Sequence, residues 1–290
     1  MMGPLVSIVT VTFNQERTIA RTIESVLAQR VGFPVEYIIS DDCSTDGTLA
    51  VCRSYQERYP DRIRVISGEK NVGAVANERR AFEAASGKYV ATCEGDDYWT
   101  DPLKLQMQAD FLESHPDYSV CFHRYMKHDC VEDRYEGDGC DFLFRDPDTV
   151  GVEISMEQFM RRWVTQYLTM MFRRECYDTS LPDRYRLFRD THQIYHLLRN
   201  GRCFLFSFVG GVYDISGSGV YTAMDSLGQA RKVLAVDREL WKVNGDDGWK
   251  SMCATVMQDM VDRHRAPYAF RIFVITLNAK KLIKNICHIL

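Results

Sequence analysis

The sequence predicts an α/β fold: a doubly wound, mostly parallel sheet carrying a helical C-terminal extension. Three observations point there. Within the first hundred residues, short apolar runs alternate four times with helical stretches, the pattern of βα units that build a parallel sheet. Polar residues gather just after those apolar runs, at the strand ends where open α/β sheets bind ligands. From about Asp225 the composition becomes helical. The expected division is a domain over residues 1–224, with halves 1–105 and 106–224, followed by an extension over 225–290.

Leu5 to Thr12, β-branched and almost continuously apolar, suits a strand covered on both faces. Asn14 breaks it, and Glu16 to Gln29 puts Ile19, Ile23, Val26 and Leu27 on one stripe of a helix. Val35 to Ser40 reads as the second strand, Asp41 to Gly47 as a polar turn and Thr48 to Tyr59 as the second helix. A third strand, Ile63 to Ser67, leads through Asn71-Val72-Gly73 to a helix from Ala74 to Ala85, and Tyr89 to Cys93 is the fourth strand. Beyond it, Tyr118 to His123 and Tyr125 to Glu132 read as a strand pair, and Glu132 to Asp148 as a loop. Ser155 to Trp163 reads as a short helix, Leu168 to Arg173 as a strand and Leu181 to Arg189 as irregular. Thr191 to Arg199 is a helix stopped by Asn200-Gly201. Cys203 to Tyr213 is a further strand, with a glycine and serine loop from Ser216 to Gly219.

The fourth strand empties into Glu94, Asp96 and Asp97, with Gly95 between them. Tyr98 and Trp99 follow, then Thr100-Asp101-Pro102, which reads as a helix start. Carboxylates concentrated at a strand end suit a hard cation such as Mg²⁺ or Mn²⁺, which takes one or two carboxylates with waters and substrate phosphates. Gly-Asp-Asp is also ordinary turn chemistry, so a surface turn is the competing reading.

Composition narrows the function classes. The chain has 290 residues, 46% hydrophobic and 26% charged, which suits a folded globular protein. A net charge of −4 argues against nucleic acid as the partner. Ten cysteines without a C-x-x-C pair point to reduced thiols in a cytoplasmic protein, and no apolar run is long enough to span a bilayer. No G-x-G-x-x-G follows the first strand and no G-K-[ST] occurs, which leaves dinucleotide oxidoreductases and P-loop ATPases poorly supported.

Taken together, VSIVTVTFNQERTI, EYIISDDCSTDGT and EKNVGAVANERRAFEAASGKYVATCEGDDYWTDPLKLQ resemble the ordered motifs of family 2 glycosyltransferases, inverting enzymes of the GT-A (Rossmann-like) fold that use nucleotide-diphosphate sugars. The resemblance covers roughly residues 5 to 220. It implies a nucleotide-binding half at 1–105 and an acceptor half at 106–224. By resemblance Val11, Thr12, Phe13, Asn14 and Glu16 lie at the nucleotide, Asp42 accepts from a uracil imide, and Asn71, Gly73 and Asn77 belong to the same site. Glu94 takes the first place of the D-x-D element near the ribose. Asp96 reaches nucleotide and metal, and Asp97 holds the metal, Mg²⁺ or Mn²⁺. Asp190 stands where the family carries its general base, although Asp190 to Gln193 also fits a helix capping box. The implied partners are a UDP-sugar donor and a glycan or lipid-linked acceptor in surface polysaccharide assembly.

This chain departs from the family in reading Tyr213-Asp214-Ile215-Ser216 where a Y-R-x-H loop is common. Diphosphate contacts must then come from elsewhere, with Lys70, Arg79 and Arg189 as candidates. The same departure leaves a nucleotide-binding partner without transfer activity as the alternative.

Three further signals stand apart. Cys121, His123, His128 and Cys130 form C-x-H-x4-H-x-C, a zinc set if a hairpin folds it together, or strand alternation if not. Ser44 to Thr48 is similar to a phosphoaspartyl motif but has serine at the nucleophile's place. Arg265 to Leu290 mixes large apolar with basic residues, which suits a helix at an anionic membrane surface, a packed terminal helix or a homodimer contact.

Overall fold

The computed structural model describes residues 3–216, 225–250 and 252–254. The expected tail helix from Arg265 to Leu290 lies outside them. The chain divides into two compact units, Met1–Asp183 with Phe188–Gly217 and Arg184–Leu187 with Ser218–Leu290.

The first unit is built on one sheet. Strands β1 (Val6–Thr12), β2 (Val35–Asp41), β3 (Ile63–Ser67) and β4 (Tyr89–Thr92) form a parallel block in the order β3-β2-β1-β4. Helices α1 (Ile19–Leu27), α2 (Thr48–Arg58) and α3 (Ala74–Ala84) connect them. The reason is visible in burial: α1 sinks Ile19, Thr22, Ile23 and Val26, a single stripe at helical spacing. Strand β1 keeps Val6, Ile8 and Val9 buried, so the sheet is covered on both faces.

Beyond β4 the sheet continues through shorter partners. Strand β5 is the pair Tyr98–Trp99, and α4 (Lys104–Ser114) follows after Asp101 Oδ1 accepts the Leu103 amide at 2.8 Å. Strand β6 (Tyr118–Asp129) is one continuous strand, where a strand pair broken at Arg124 was expected. The alternation on either side of that residue belongs to one strand held against a parallel neighbour, β10 (Arg202–Ile215). The stretch expected as a loop contains β7 (Arg134–Gly137), antiparallel to β6, and β8 (Gly151–Glu153) pairs with β10. Only Met171–Arg173 of the next expected strand is extended, as β9 between β4 and β6. Tyr167–Thr169 forms a 3₁₀ turn instead. Helix α5 (Met156–Arg161) is shorter than expected and starts with a full capping box, Ser155 and Gln158 bonding each other's amides at 2.8 and 3.2 Å.

Helix α6 (Asp190–Arg199) begins one residue early, with Arg189 at the cap position, so the capping box expected at Asp190 does not form. Asp190 Oδ1 accepts the amide of its neighbour Thr191 at 2.8 Å. The C-x-H-x4-H-x-C residues do not converge either. Cys121 and His123 are fully buried in the body of β6, while His128 and Cys130 lie at its far end.

In the second unit α7 (Ser226–Asn244) is capped by Asp225, which accepts the Gly228 amide at 2.7 Å, and ends on Gly245 at φ 70°. No helix among the described residues is long and apolar enough to cross a membrane.

Candidate active site

The polar ends of β1, β2 and β4 meet because these strands are adjacent and parallel. At the first end, Asn14 sits at φ 53°, a left-handed backbone that asparagine tolerates better than most residues. Its side-chain oxygen accepts the Thr45 amide at 2.8 Å, and its own amide donates to Ser44 Oγ at 3.0 Å. Glu16 Oε2 accepts the Gly47 amide at 3.1 Å, so Asn14 and Glu16 tie the loop after β1 to the loop after β2. Phe13 is exposed, Val11 half-buried and Thr12 buried. Asp42 is only 2% exposed, and its two oxygens take the amides of Val72 and Gly73 at 2.9 and 2.8 Å. That contact brings Asn71 and Gly73 to Asp42. Gly73, at φ 87°, is where the chain needs glycine. Asn77 is buried and bridges α3 to β2: it donates to the Ser40 carbonyl at 2.8 Å and accepts from Ser40 Oγ at 2.6 Å.

At the second end, α1 grips the acid-bearing loop by its carbonyls. Thr18 Oγ1 donates to Gly95 O at 2.8 Å, Arg21 to Asp96 O at 3.3 Å and Thr22 Oγ1 to Asp97 O at 2.7 Å. Gly95 is required by close approach, since a Cβ there would stand 2.4 Å from Gln15 Oε1. Asp97 is fully buried; its Oδ1 accepts the Asp214 amide at 3.0 Å, no N–H or hydroxyl reaches its Oδ2, and its carboxyl neighbour is Glu94, which it bonds when one of the two carries a proton. Burial raises the Asp97 carboxyl well above its usual range, and the facing Glu94 and Asp96 push it further. Burial lifts Glu94 to about 8, with Asp96, Asp190 and Glu78 adding to the effect. Asp96 is raised by burial too, against bonds from its own backbone and Gln15 that favour its charge.

This donor set fits a hard divalent ion. It is all oxygen, it carries a buried oxygen that no N–H or hydroxyl reaches, and burial together with neighbouring carboxyls raises Glu94 and Asp97. Among the described residues the three acids do not close into a cluster of mutually adjacent ligand atoms. That suits an ion held by one or two carboxylates and completed by a diphosphate.

Asp190 is half-buried, and burial raises its carboxyl while Arg189 opposes the rise. Its charge is felt at Glu94 and at Glu78 of α3, so the start of α6 borders the acids. Of the expected diphosphate contacts, Arg79 is committed to Glu83 and Asp183, both at 2.9 Å. Three residues that sequence reasoning missed, Gln15, Arg21 and Glu78, complete the crevice. Gln15 accepts from Thr12 Oγ1 at 2.7 Å and bonds Asp96. Arg21 pairs with Asp214 and lies 4.1 Å over the Tyr98 ring. Glu78, lifted by burial to about 7, adds an acid from α3. Gln15 and Glu78, each adjacent in sequence to a residue of the predicted set, carried a local signal, and Arg21 did not.

Comparison with known proteins agrees with this geometry. The chain spans about a third to a half of the length of the curated relatives it matches. An uncharacterized protein of Mycobacterium tuberculosis is 50% identical over 117 residues, 40% of this chain and 34% of the relative. The Escherichia coli UDP-Glc:alpha-D-GlcNAc-diphosphoundecaprenol beta-1,3-glucosyltransferase WfaP is 33% identical over 127 residues, 44% of this chain and 49% of WfaP. Among solved structures, S. aureus TarS 1-349 in complex with UDP-GlcNAc has a TM-score of 0.59 at 18% identity, covering 89% of this chain and 73% of TarS. The mannosyltransferase PcManGT from Pyrobaculum calidifontis, in complex with GDP-Man and Mn²⁺, has a TM-score of 0.58 at 14% identity, covering 96% of this chain and 81% of PcManGT. These likenesses establish the GT-A fold. Residues 7–177, well over half of the chain, match the family described as Glycosyl transferase family 2, and the chain belongs to that family.

Proposed function

We propose that this protein transfers a sugar from a UDP-sugar to an acceptor hydroxyl with inversion, in the assembly of a surface polysaccharide. The observation that carries the reading is Asp97: a fully buried carboxyl, raised by burial and by Glu94 and Asp96, with an oxygen that no N–H or hydroxyl donor reaches. Family membership and the UDP-GlcNAc complex of TarS support a nucleotide-sugar donor.

Thr12, Phe13, Asn14 and Asp42 seat the nucleoside, with the loop at Asn71 and Gly73 closing on Asp42. Glu94 and Asp96 lie toward the ribose and diphosphate. Asp96 and Asp97 would hold Mg²⁺ or Mn²⁺, which when bound offsets the charge that builds on the departing diphosphate. Arg21, which donates to the Asp96 carbonyl and pairs with Asp214, brings to this end of the site a positive charge that Asp214 shares. Asp190 takes the proton of the acceptor hydroxyl as its oxygen bonds the anomeric carbon and the bond to UDP breaks. A carboxylate whose pKa is raised by burial is a better proton acceptor. Cytoplasmic placement, with access to a glycan or lipid-linked acceptor at a membrane surface, follows the same reading.

Asp214, an acid where the family often has a base, favours a second reading: a nucleotide-binding partner without transfer activity. The two separate cleanly. UDP should raise the melting temperature more with Mn²⁺ than without it, and UDP-sugars should release UDP in the presence of acceptor. Asp190→Asn should lower turnover by about 10² to 10⁴ and leave UDP affinity unchanged. UDP binding without release from any donor establishes the second reading, and unchanged turnover in Asp190→Asn removes the base assignment.

A further inference from the structure

The loop that departs from the family pattern brings a second set of ligands together, of a different chemical character. Strands β6 and β10 are parallel neighbours, and their register places Asp214 beside His128. Cys130 follows directly, fixed by its amide donating to the Ile215 carbonyl at 3.1 Å. His128 Nδ1 lies 2.9 Å from Asp214 Oδ1 and 3.8 Å from Cys130 Sγ. One ligand atom from each residue falls within 4.8 Å of the others, the one such group of three among the described residues.

We infer that His128, Cys130 and Asp214 form a binding site for a borderline-soft divalent metal ion, with Zn²⁺ as its natural probe. Nitrogen, sulfur and oxygen donors together suit zinc, whereas Mg²⁺ and Mn²⁺ prefer the all-oxygen set at Asp96 and Asp97. The spacing is close to what is needed. Zinc bonds of about 2.0–2.1 Å to nitrogen and 2.3 Å to sulfur at a tetrahedral angle put those atoms about 3.6 Å apart. The N···O pair must open from hydrogen-bond length to about 3.3 Å, a movement of a few tenths of an ångström.

The outer partners are in place as well. Zinc-bound histidines commonly hand the other ring nitrogen to a carboxylate, which fixes tautomer and orientation. Here His128 Nε2 lies 3.0 Å from Asp133 Oδ1, and the Tyr135 ring stacks on the imidazole at 4.3 Å and 9°. The turn carrying Asp133 is itself fixed by Asp129 Oδ1, which accepts the amides of Val131 and Glu132 at 2.9 and 3.1 Å. Binding releases the thiol proton and any proton on Nδ1. Three protein ligands leave a fourth position for water. Because the Asp214 amide also holds Asp97 Oδ1, the ion would stiffen the strand end that orients the donor-site carboxylate.

The test uses metal-free, full-length protein and Zn²⁺ in competition with a chromophoric chelator. One equivalent should bind, and Cys130→Ser and His128→Gln should each weaken it by more than about 100-fold. Asp133→Asn, which leaves all three ligands in place, should weaken it by about 10- to 100-fold. Co²⁺ in place of zinc should show a thiolate charge-transfer band that Cys130→Ser abolishes, and excess Mn²⁺ should not displace it. Cys130 is exposed, so its variant should melt like the parent without metal, which excludes misfolding as the cause. No binding by the parent, or binding that survives both Cys130→Ser and His128→Gln, overturns the inference. This holds whether or not the donor reading is correct, since neither nucleotide nor transfer enters the measurement.

Discussion

The two ends of the crevice handle buried polarity in opposite ways. At β1 and β2, the buried Asp42 and Asn77 have their side-chain oxygens satisfied by amides or a hydroxyl of the protein itself, and the exposed Asn14 and Glu16 each accept an amide of the neighbouring loop. At β4, burial raises Glu94, Asp96 and Asp97, Asp96 pushes the other two further, and no N–H or hydroxyl reaches Asp97 Oδ2. Unpaired buried carboxylates cost stability, a cost that protonation or a bound cation offsets. On the proposed reading the first end is a finished frame for a flat base, and a cation completes the second. The α1 residues that clamp its carbonyls hold the loop in place.

Neutralising the second end gives the largest expected effect. Asp97→Asn keeps an acceptor for the Asp214 amide and replaces the unpaired oxygen by an NH₂ group. Without metal or nucleotide it should melt no lower than the parent. The Mn²⁺-dependent part of UDP stabilisation should vanish, and sugar transfer should fall by on the order of 10² to 10³. Metal-free melting well below the parent would mean that Asp97 is a structural residue, and the contrast between the two ends would fail.

A third buried polar region sharpens the contrast because it involves the opposite sign of charge. Lys104 is fully buried, its Nζ has no hydrogen-bond partner and it sits 3.6 Å over the Trp99 ring. Burial lowers its pKa to about 7, against the pull of Cys93 and Cys121. A lysine with a lowered folded pKa binds fewer protons folded than unfolded. It therefore costs stability at low pH, and that cost is relieved as pH rises from about 7 toward 10.5. Lys104→Met should remove this slope and raise stability at pH 7 by up to about 4 kcal/mol. Denaturant melts at pH 7 and pH 9 give both numbers. A slope unchanged by the substitution would assign the pH dependence to other groups and leave Lys104 compensated where it lies.

How much of this the sequence disclosed depends on how local the cause is. The alternation from Leu5 to Cys93 was legible because each strand and helix carries its own periodicity, and α1 buries three of the four stripe residues named from sequence. Strand β5 has two residues and β8 three, and nothing in so short a run announces a strand; they exist because β10 offers them backbone partners. The acids at the ends of β2 and β4 were legible as charge placed after apolar runs. Arg21 and Asp214 were not, since they are 193 residues apart and meet only when α1 and β10 close on the same loop. Asp190 was read as a helix cap or a base. The structure shifts the cap to Arg189 and leaves the carboxylate beside the acids.

The smallest effect tests the finished end of the crevice. Asn14 combines a left-handed backbone with a side chain that holds the Thr45 amide, and two substitutions separate these contributions. Asn14→Gly loses the side-chain bond and keeps the backbone geometry, for about 0.5–1.5 kcal/mol. Asn14→Ala loses the bond and adds roughly 1 kcal/mol of left-handed strain. UDP affinity should fall in both, because the loops after β1 and β2 are no longer tied, while the enhancement by Mn²⁺ should stay as in the parent. Equal stability of the two variants would show that the loop relaxes out of the left-handed region. A lost Mn²⁺ response would show that the two ends of the crevice are one coupled site, not a frame and a separate charge trap.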